Sequence, residues 1–354
     1  MGVIIGVDPH KASCTAAVLD ERGELVDQQR FASTRTGSRA LGRWAKRWPE
    51  RRWAVEGASG LGRRLAQQLV GDGEPVVDVP AKLAARVRLL SAGHGRKSDA
   101  HDAVSVAMAA LGTTRLGQVR LEDHTAVLRL LSDRRDDLVR QRTRTLNRLH
   151  VLLCDLLPGG AKRSLDADTA AALLRRLRPA TAPARTRRQL AVDLVADLRA
   201  LDRRITAVEE RLRHAVTQSA TTLIELFGVG PILAAKLLGE VGDIRRFATK
   251  HRFAAHNGTA PIEASSGEVV RHRLSRAGNR KLNHALHLIA IVQIRHPTAG
   301  QAYYRRKLAE GKSPKEALRC LKRRLWRTFF AERSAARPWS PPPRATRVPI
   351  AVCQ

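Results

Sequence analysis

The sequence predicts an α/β domain followed by a longer, helical region. Over residues 1–90, short runs of β-branched apolar residues alternate with amphipathic stretches of helical period. From residue 122 onward, leucines recur at spacings of three and four over two long stretches. Hydrophobic residues make up 43% of the 354 residues and aromatic residues only 4%, so Leu, Val, Ala and Ile must fill the cores.

The first region has the element order of one known fold. Three short strands joined by tight turns indicate an antiparallel trio, at residues 2–8, 14–19 and 24–31. Alternating helices and strands follow, at residues 37–48, 53–56, 60–71, 75–79 and 80–91. The order βββαβαβα is that of the ribonuclease H-like fold, a mixed sheet with helices on its faces.

The second region contains two long helical patterns, over residues 122–157 and 185–219. Their leucines fall on one face and their arginines cover much of the rest. We expect either an antiparallel helix pair or a coiled-coil arm that mediates dimerisation.

The third region opens with a glycine turn, Gly228-Val229-Gly230-Pro231, before a helical stretch. This pattern predicts a helix-hairpin-helix, whose backbone amides bind a phosphate at a helix N-terminus without reading bases. Helical patterns return over residues 280–294 and 305–327, and the chain becomes proline-rich after residue 333. The predicted division is therefore 1–115, 116–220, 221–333 and a disordered tail over 334–354.

The charge of the chain predicts a polyanionic partner. The formal net charge is +31, and such self-repulsion is relieved when nucleic acid neutralises it. No stretch is long and apolar enough for a membrane span, and the N-terminus has no signal-peptide pattern. The scattered cysteines and histidines predict neither a disulfide framework nor a zinc site.

Four acidic residues stand where a cation site would be built. Asp8 and Glu56 end apolar strands, and Asp99 and Asp102 begin a helix after a Gly-rich basic loop. Because residues three apart share a helix face, the last two can point the same way. Each acid also has a simpler explanation, as a turn residue, a solvated strand end or a partner of the helix dipole. From the pattern alone, Asp102 is a better ligand candidate than Asp99.

With the glycine turn and Ala264-Ser265-Ser266-Gly267-Glu268, these acids resemble the DEDD transposases of a bacterial insertion-sequence family. Members of that family join a RuvC-like N-terminal domain to a C-terminal domain that bears an essential serine. The resemblance extends over the chain to about residue 330, and its motifs are Gly6-Val7-Asp8-Pro9-His10-Lys11, Val55-Glu56-Gly57, Lys97-Ser98-Asp99-Ala100-His101-Asp102-Ala103 and Ser266-Gly267 with Ser275-Arg276-Ala277-Gly278-Asn279.

The resemblance implies that the four acids hold Mg²⁺ and that a serine becomes linked covalently to DNA. It places the nucleophile directly before a glycine, which selects Ser266 over Ser265. It also implies a homo-oligomer, dimeric or tetrameric, that is guided on DNA by a structured RNA, the bridge RNA. Such a protein works in the bacterial cytoplasm, on nucleoid DNA. The candidate nucleic-acid contacts are Gly228, Gly230, Arg271, Arg273, Arg276, Arg140 and Arg144.

Two other functions remain open from the residues themselves. A metal-dependent, structure-specific endonuclease of the Holliday-junction-resolvase kind would use the acids and water but no serine. A non-enzymatic architectural protein would use only the basic helices. Tyr303 and Tyr304 invite comparison with tyrosine recombinases, but no Arg and His constellation accompanies them, and we expect them to pack or stack.

Overall fold

The computed structural model describes residues 2–90, 99–162, 164–263, 272–274 and 278–335, with the backbone alone at residues 99, 100, 272, 274 and 327–335. The chain divides into two compact units, Met1–Glu122 and Asp123–Gln354. The division from the sequence at residues 115 and 220 remains a prediction. The predicted tail over 334–354 lies outside the described residues except for its first two, which are the last residues of α12.

The first unit is built on a six-stranded mixed sheet in the order β3-β2-β1-β4-β5-β6. Its strands are β1 (Val3–Pro9), β2 (Ser13–Leu19), β3 (Leu25–Ala32), β4 (Arg51–Glu56), β5 (Val76–Val79) and β6 (Gly117–Gln118). The first three strands are antiparallel, whereas β4 and β5 run parallel to β1. This is the ribonuclease H-like, RuvC-like arrangement that the sequence predicted. The short antiparallel edge strand β6 was not predicted.

Helices cover both faces of this sheet. They are α1 (Arg35–Ala45), α2 (Arg63–Gly71), α3 (Ala81–Leu90) and α4 (Asp99–Leu111). One core joins β1, β2 and β4 to α1 and α2 through residues such as Ile5, Val55 and Leu41. The other joins β4 and β5 to α3 and α4 through Ala54 and Val106. Neighbouring residues Ala54 and Val55 enter different cores because successive strand side chains point to opposite faces.

The second unit is mostly helical. Its elements are α5 (His124–Leu156), α6 (Ala167–Arg176), α7 (Ala182–Gln218), α8 (Pro231–Val241), α9 (Lys250–His256), β7 (Pro261–Glu263), β8 (His272–Leu274), α10 (Arg280–Arg295), α11 (Ala299–Ala309) and α12 (Pro314–Ala335). Short 3₁₀ helices occupy Thr222–Glu225 and Ile244–Arg246. No helix in the described ranges has the length and apolarity needed to cross a membrane.

The two long helices α5 and α7 form an antiparallel pair. Arg135 pairs with Glu209 at 2.7 Å, and Arg142 pairs with Asp202 at 2.5 Å. From the first pair to the second, the residue number rises by seven on α5 and falls by seven on α7, as antiparallel helices require. The N-terminal half of α5 and the C-terminal half of α7 share a large core with α8, α9, α10 and α12. The C-terminal end of α5 and the N-terminal half of α7 pack with α6 in a separate hydrophobic cluster.

Two segments differ from the sequence prediction. The helical pattern over residues 305–327 is divided between α11 and α12, with Gly311 in left-handed backbone at φ +80° between them. The second difference is β7, a strand that was not predicted and that pairs with β8 in antiparallel fashion. Each of these strands has only three residues, which is too short for an alternating pattern to be recognised in the sequence.

Candidate catalytic and nucleic-acid-binding sites

Asp8 and Glu56 lie at the same edge of the sheet. β1 and β4 are neighbouring parallel strands with Val7 opposite Val55, and each acid is the next residue along its strand. Asp8 is only 8% exposed, and Glu56 is half-buried. The carboxyl ends of the two strands therefore bring the two carboxylates together.

Helix α4 brings a third carboxylate to this edge. Gly6 lets the helix approach β1 so closely that a Cβ at Gly6 would lie 2.4 Å from the carbonyl oxygen of Ala103. Asp102, the residue before Ala103, is 7% exposed. Asp99 is the first residue of α4, and its side chain lies outside the described part of the structure.

The three described acids interact electrostatically. Burial raises the pKa of the Glu56 carboxyl, and the charges of Asp8 and Asp102 raise it further. Burial, with a contribution from Asp8, also raises the pKa of the neighbouring Cys14 thiol to about 11. Like charges held this close favour the binding of a cation, since a cation relieves their repulsion.

Two basic side chains already contact these acids. The imidazole Nε2 of His10 lies 3.1 Å from Oδ2 of Asp8. Nη1 of Arg88, on α3, donates to Oδ1 of Asp102 at 2.5 Å, and this hydrogen bond raises the pKa of the Arg88 guanidinium. Among the side chains that the structure describes, no three His, Cys, Asp or Glu residues already converge as ligands of one metal ion.

The donor set nonetheless fits a hard divalent cation. Mg²⁺ takes oxygen ligands and needs only a few carboxylates, with waters and substrate phosphates completing its shell. Thr15 lies opposite Asp8 in the β1–β2 register, and its buried hydroxyl has no hydrogen-bond partner among the described residues. Buried hydroxyl groups normally form a hydrogen bond. A water molecule bound to a cation at Asp8 could form that hydrogen bond with Thr15.

Sequence reasoning missed one acid that shapes this edge. Asp78 on β5 accepts hydrogen bonds from the Ala58 amide at 2.8 Å and from the Ser59 hydroxyl at 2.9 Å. It thereby fixes the turn that follows Glu56. An acid within the apolar run Val76-Val77-Asp78-Val79 was the available signal.

The candidate nucleophile is the residue about which the structure says least. Ser266, its alternative Ser265, and the candidate contacts Arg271 and Arg276 lie outside the described residues. What is described is the pair of strands that the serine segment connects, β7 and β8. Arg273 lies on β8 and is exposed.

The glycine turn leads into α8 as predicted, although the element before it is the short 3₁₀ helix Thr222–Glu225. Gly228 has φ +87°, and Gly230 is the N-cap of α8 with Pro231 as the first helical residue. Val229 between them is buried and donates its amide to Leu226 at 2.9 Å. The turn is thus anchored by its valine, and its role in phosphate binding remains a prediction.

The candidate arginines of α5 are on the surface. Arg144 is exposed, and Arg140 is exposed with an Asp137 partner one helical turn away. Surface pairs of this kind are weak, so Arg140 remains available to a polyanion. By contrast, Arg135 and Arg142 serve the packing of α5 against α7.

A mixed-sheet domain with carboxylates gathered at one edge, joined to a strongly basic helical unit, defines a class of enzymes that process DNA. A family model of the IS110 DEDD type, described as Transposase, matches residues 5–158. A second, described as Transposase IS116/IS110/IS902 family, matches residues 220–305. The first range contains the four acids and the second contains both serines.

Curated relatives agree with the family models. The chain is 28% identical to the insertion element IS116 44.8 kDa protein of Streptomyces clavuligerus, over 97% of each chain. It is 29% identical to the IS900 42 kDa protein of Mycobacterium paratuberculosis, over 92% of this chain and 94% of the relative. A RuvC from T. thermophilus, solved in complex with a Holliday junction substrate, aligns with 31% of this chain and 94% of its own at 13% identity and a TM-score of 0.25.

The chain belongs to the IS110 family of DEDD transposases. It is a DNA transposase, an enzyme that recombines DNA. Membership of a family named for its acidic residues implies dependence on a divalent cation.

Proposed function

We propose that this transposase moves an insertion sequence by cutting and rejoining DNA strands with a Mg²⁺-binding carboxylate site and a serine nucleophile. The observation that carries the proposal is the meeting of Asp8, Glu56 and Asp102 at one edge of the sheet, where two of them raise the pKa of the third. Carboxylates that are largely buried and repel one another suit a site that holds cations beside a phosphate.

Asp8, Glu56 and Asp102 would hold the cation, with Asp99 as the fourth ligand. Bound Mg²⁺ would neutralise charge that develops on the transferring phosphoryl group and would orient the reacting oxygens. Arg88, whose guanidinium donates to Oδ1 of Asp102, would release that carboxylate or share it with the cation. Asp78 would keep the turn after Glu56 in place.

The serine step conserves the energy of the phosphodiester. The Ser266 hydroxyl oxygen attacks phosphorus and forms a P–O bond, while the bond from phosphorus to the leaving sugar oxygen breaks. The serine loses its proton, and the departing oxygen takes up a proton. The resulting phosphoserine diester is rejoined when a hydroxyl of another strand attacks it, which regenerates the serine.

The remaining parts would serve assembly and targeting. Residues 1–115 would form the catalytic domain, residues 116–220 an arm for dimers or tetramers, and residues 221–333 the serine-bearing domain. A structured guide RNA would select the DNA, and the basic surfaces that include Arg140, Arg144 and the glycine turn would hold the backbones. We place this activity in the cytoplasm, on nucleoid DNA.

The serine is tested by trapping the covalent intermediate. Ser266→Ala should abolish both strand exchange and the protein–DNA adduct seen on denaturing gels, whereas Ser265→Ala, the adjacent control, should retain both. An adduct that survives Ser266→Ala would sink the assignment. DNA cleavage that continues without any adduct would instead identify a nuclease that uses water.

The carboxylates are tested with isosteric amides. Asp8→Asn, Glu56→Gln and Asp102→Asn should each reduce Mg²⁺-dependent cleavage on the order of a hundredfold or more, because each removes a charged ligand. Asp72→Asn is the matched control, since Asp72 is an exposed acid at the C-terminus of α2. Unchanged recombination in the three site variants would favour a purely architectural protein.

A further inference from the structure

The second unit contains a cavity of about 320 Å³ that the proposed chemistry does not use. It lies between β7 and β8 on one side and α10 and α12 on the other. Its volume falls at the lower end of the range for small-molecule pockets and suits a single nucleotide unit.

The walls of this cavity are strongly basic. Five cationic side chains line it, Arg273, Lys312, Arg319, Lys322 and Arg323. Glu316 is the one acid among the described lining residues. Its carboxylate accepts hydrogen bonds from the Ser313 amide and hydroxyl and lies 3.7 Å from the Arg319 guanidinium. Five cations against one carboxylate that is already engaged leave a positive field, which selects an anion.

Lys322 is the residue that most needs such an anion. It is only 7% exposed, and the one acceptor that it contacts in the described part of the chain is the amide oxygen of Asn283, at 2.5 Å. The Asn283 amide is itself fixed, because its nitrogen donates to the carbonyl of Asn257 at 2.9 Å. An ammonium group has three N–H donors, so this contact leaves two for a ligand.

Burial lowers the pKa of Lys322 to about 8, which shows how little compensation the protein itself supplies. A buried charge is normally paired, because leaving it unpaired is costly. An anion in the cavity would remove that cost. The arginines beside it carry planar guanidinium groups, which match the geometry of phosphate oxygens.

The apolar part of the wall narrows the choice of ligand. Ala260, Pro261 and Cys320 provide carbon and sulfur surface next to the cations. A free phosphate would leave that surface unused, whereas a nucleotide places its sugar or base there. β7 and β8, which carry Pro261 and Arg273, are also the strands that the serine segment connects.

We infer that this cavity, which we term the α12 pocket, binds one phosphate and the attached nucleoside of a nucleic-acid strand, with Lys322, Arg319 and Arg323 on the phosphate. The inference rests on the proposed function in taking nucleic acid as the ligand, but it requires no catalysis. Its role is to hold a strand beside the hairpin that bears the serine.

Cys320 offers a direct test because its thiol lies in the wall of the pocket and forms no disulfide. The alkylation rate of Cys320 would be measured by peptide mass spectrometry on the full chain. Alkylation reports binding and needs no turnover, so a failure of the proposed chemistry does not affect the readout. The probes are a short single-stranded DNA, the same strand as RNA, and inorganic phosphate. A reference cysteine peptide in the same reaction controls for loss of reagent.

With a strand at about ten times its Kd, Cys320 alkylation should slow roughly tenfold. Arg323→Gln should raise the half-protecting concentration about tenfold, as should Arg319→Gln. Arg324→Gln is the matched control, since Arg324 is on the same helix but lies over the Tyr303 ring at 4.7 Å, away from the pocket. Circular dichroism would verify that each variant is folded.

Protection by either strand supports the inference, and the strand that protects at lower concentration identifies the natural ligand. Absence of protection by both strands would overturn it, and so would protection by inorganic phosphate alone. Protection that is equally strong in the Arg319, Arg323 and Arg324 variants would also overturn it, because it would place the strand elsewhere.

Discussion

Replacing Gly6 with alanine tests how the acidic edge is built, the edge of the sheet where Asp8, Glu56 and Asp102 lie. A Cβ at this position would lie 2.4 Å from the Ala103 carbonyl oxygen and 2.5 Å from the Ala107 amide nitrogen, both in the backbone of α4. Ordinary contact begins near 3.4 Å, so α4 would have to withdraw by about 1 Å. β1 cannot move instead, because it is hydrogen-bonded to β2 and β4 on its two sides.

Two effects follow from that displacement, one on stability and one on catalysis. Forcing an extra methyl group into a packed core costs about 1–3 kcal/mol of unfolding free energy. Since α4 carries Asp102, the carboxylates also separate by about 1 Å, and a misplacement of that size reduces catalysis by up to about a hundredfold. A hundredfold loss of cleavage corresponds to about 2.7 kcal/mol of activation free energy, which is similar in size to the expected loss of stability. Because folded domains are typically stable by about 5–15 kcal/mol, we expect Gly6→Ala to lose most of its cleavage activity while it still folds.

The assay compares two alanine variants of glycine. Urea unfolding followed by tryptophan fluorescence gives the stability, and Mg²⁺-dependent cleavage of an element-end DNA gives the activity. Gly42→Ala is the control, because Gly42 lies within α1 with nothing within 4 Å of its added Cβ. That change should stabilise the protein by about 0.5–1 kcal/mol through helix propensity. Wild-type stability and cleavage in Gly6→Ala would refute the close packing of α4 on β1.

Three further predictions concern the second unit. Gly239→Ala should destabilise it by about 1–3 kcal/mol in urea unfolding, because the new Cβ would lie 2.6 Å from the Arg129 amide nitrogen of α5; wild-type stability would contradict this. Leu198→Ala, fully buried in the cluster with α6, should cost about 2–5 kcal/mol and increase protease sensitivity near α6, whereas unchanged digestion would contradict it. The pKa of Lys322 is about 8 in the folded protein against 10.5 unperturbed. Between these pH values the folded state binds fewer protons than the unfolded state. The free energy of unfolding should therefore rise with pH across this window, by at most about 3 kcal/mol. Lys322→Met should lack this gain in thermal unfolding, and an identical pH dependence in both proteins would refute the assignment.

Much of the acidic edge follows from local sequence pattern. Asp8 and Glu56 end apolar strands, and the predicted antiparallel trio with parallel strands beyond it is confirmed. Because β1 and β4 are neighbouring parallel strands, the sheet topology brings their carboxyl ends together, and this does not depend on side chains elsewhere in the protein. This is why the site's location could be inferred before any distance was known.

The pairing of the acids could not be inferred in the same way. The contact of Arg88 with Asp102 depends on how α3 and α4 pack, and many arginines were equally plausible partners. The same holds for Asp78, whose hydrogen bonds reach across to the turn after β4. The interhelical pairs of Arg135 and Arg142 likewise distinguish structural arginines from surface ones only once the register of α5 and α7 is known.

Under the proposed contacts of Arg140 and Arg144 with nucleic acid, the length of the antiparallel helix pair sets the length of duplex that it could follow. α5 has 33 residues, which at 1.5 Å per residue amounts to about 50 Å. At 3.4 Å per base pair, that is the length of about 15 base pairs of duplex. Because the far end has its own core with α6, it is held rigid without help from the larger core. A footprint on nucleic acid that extends this distance would therefore mark the ends of one helix pair.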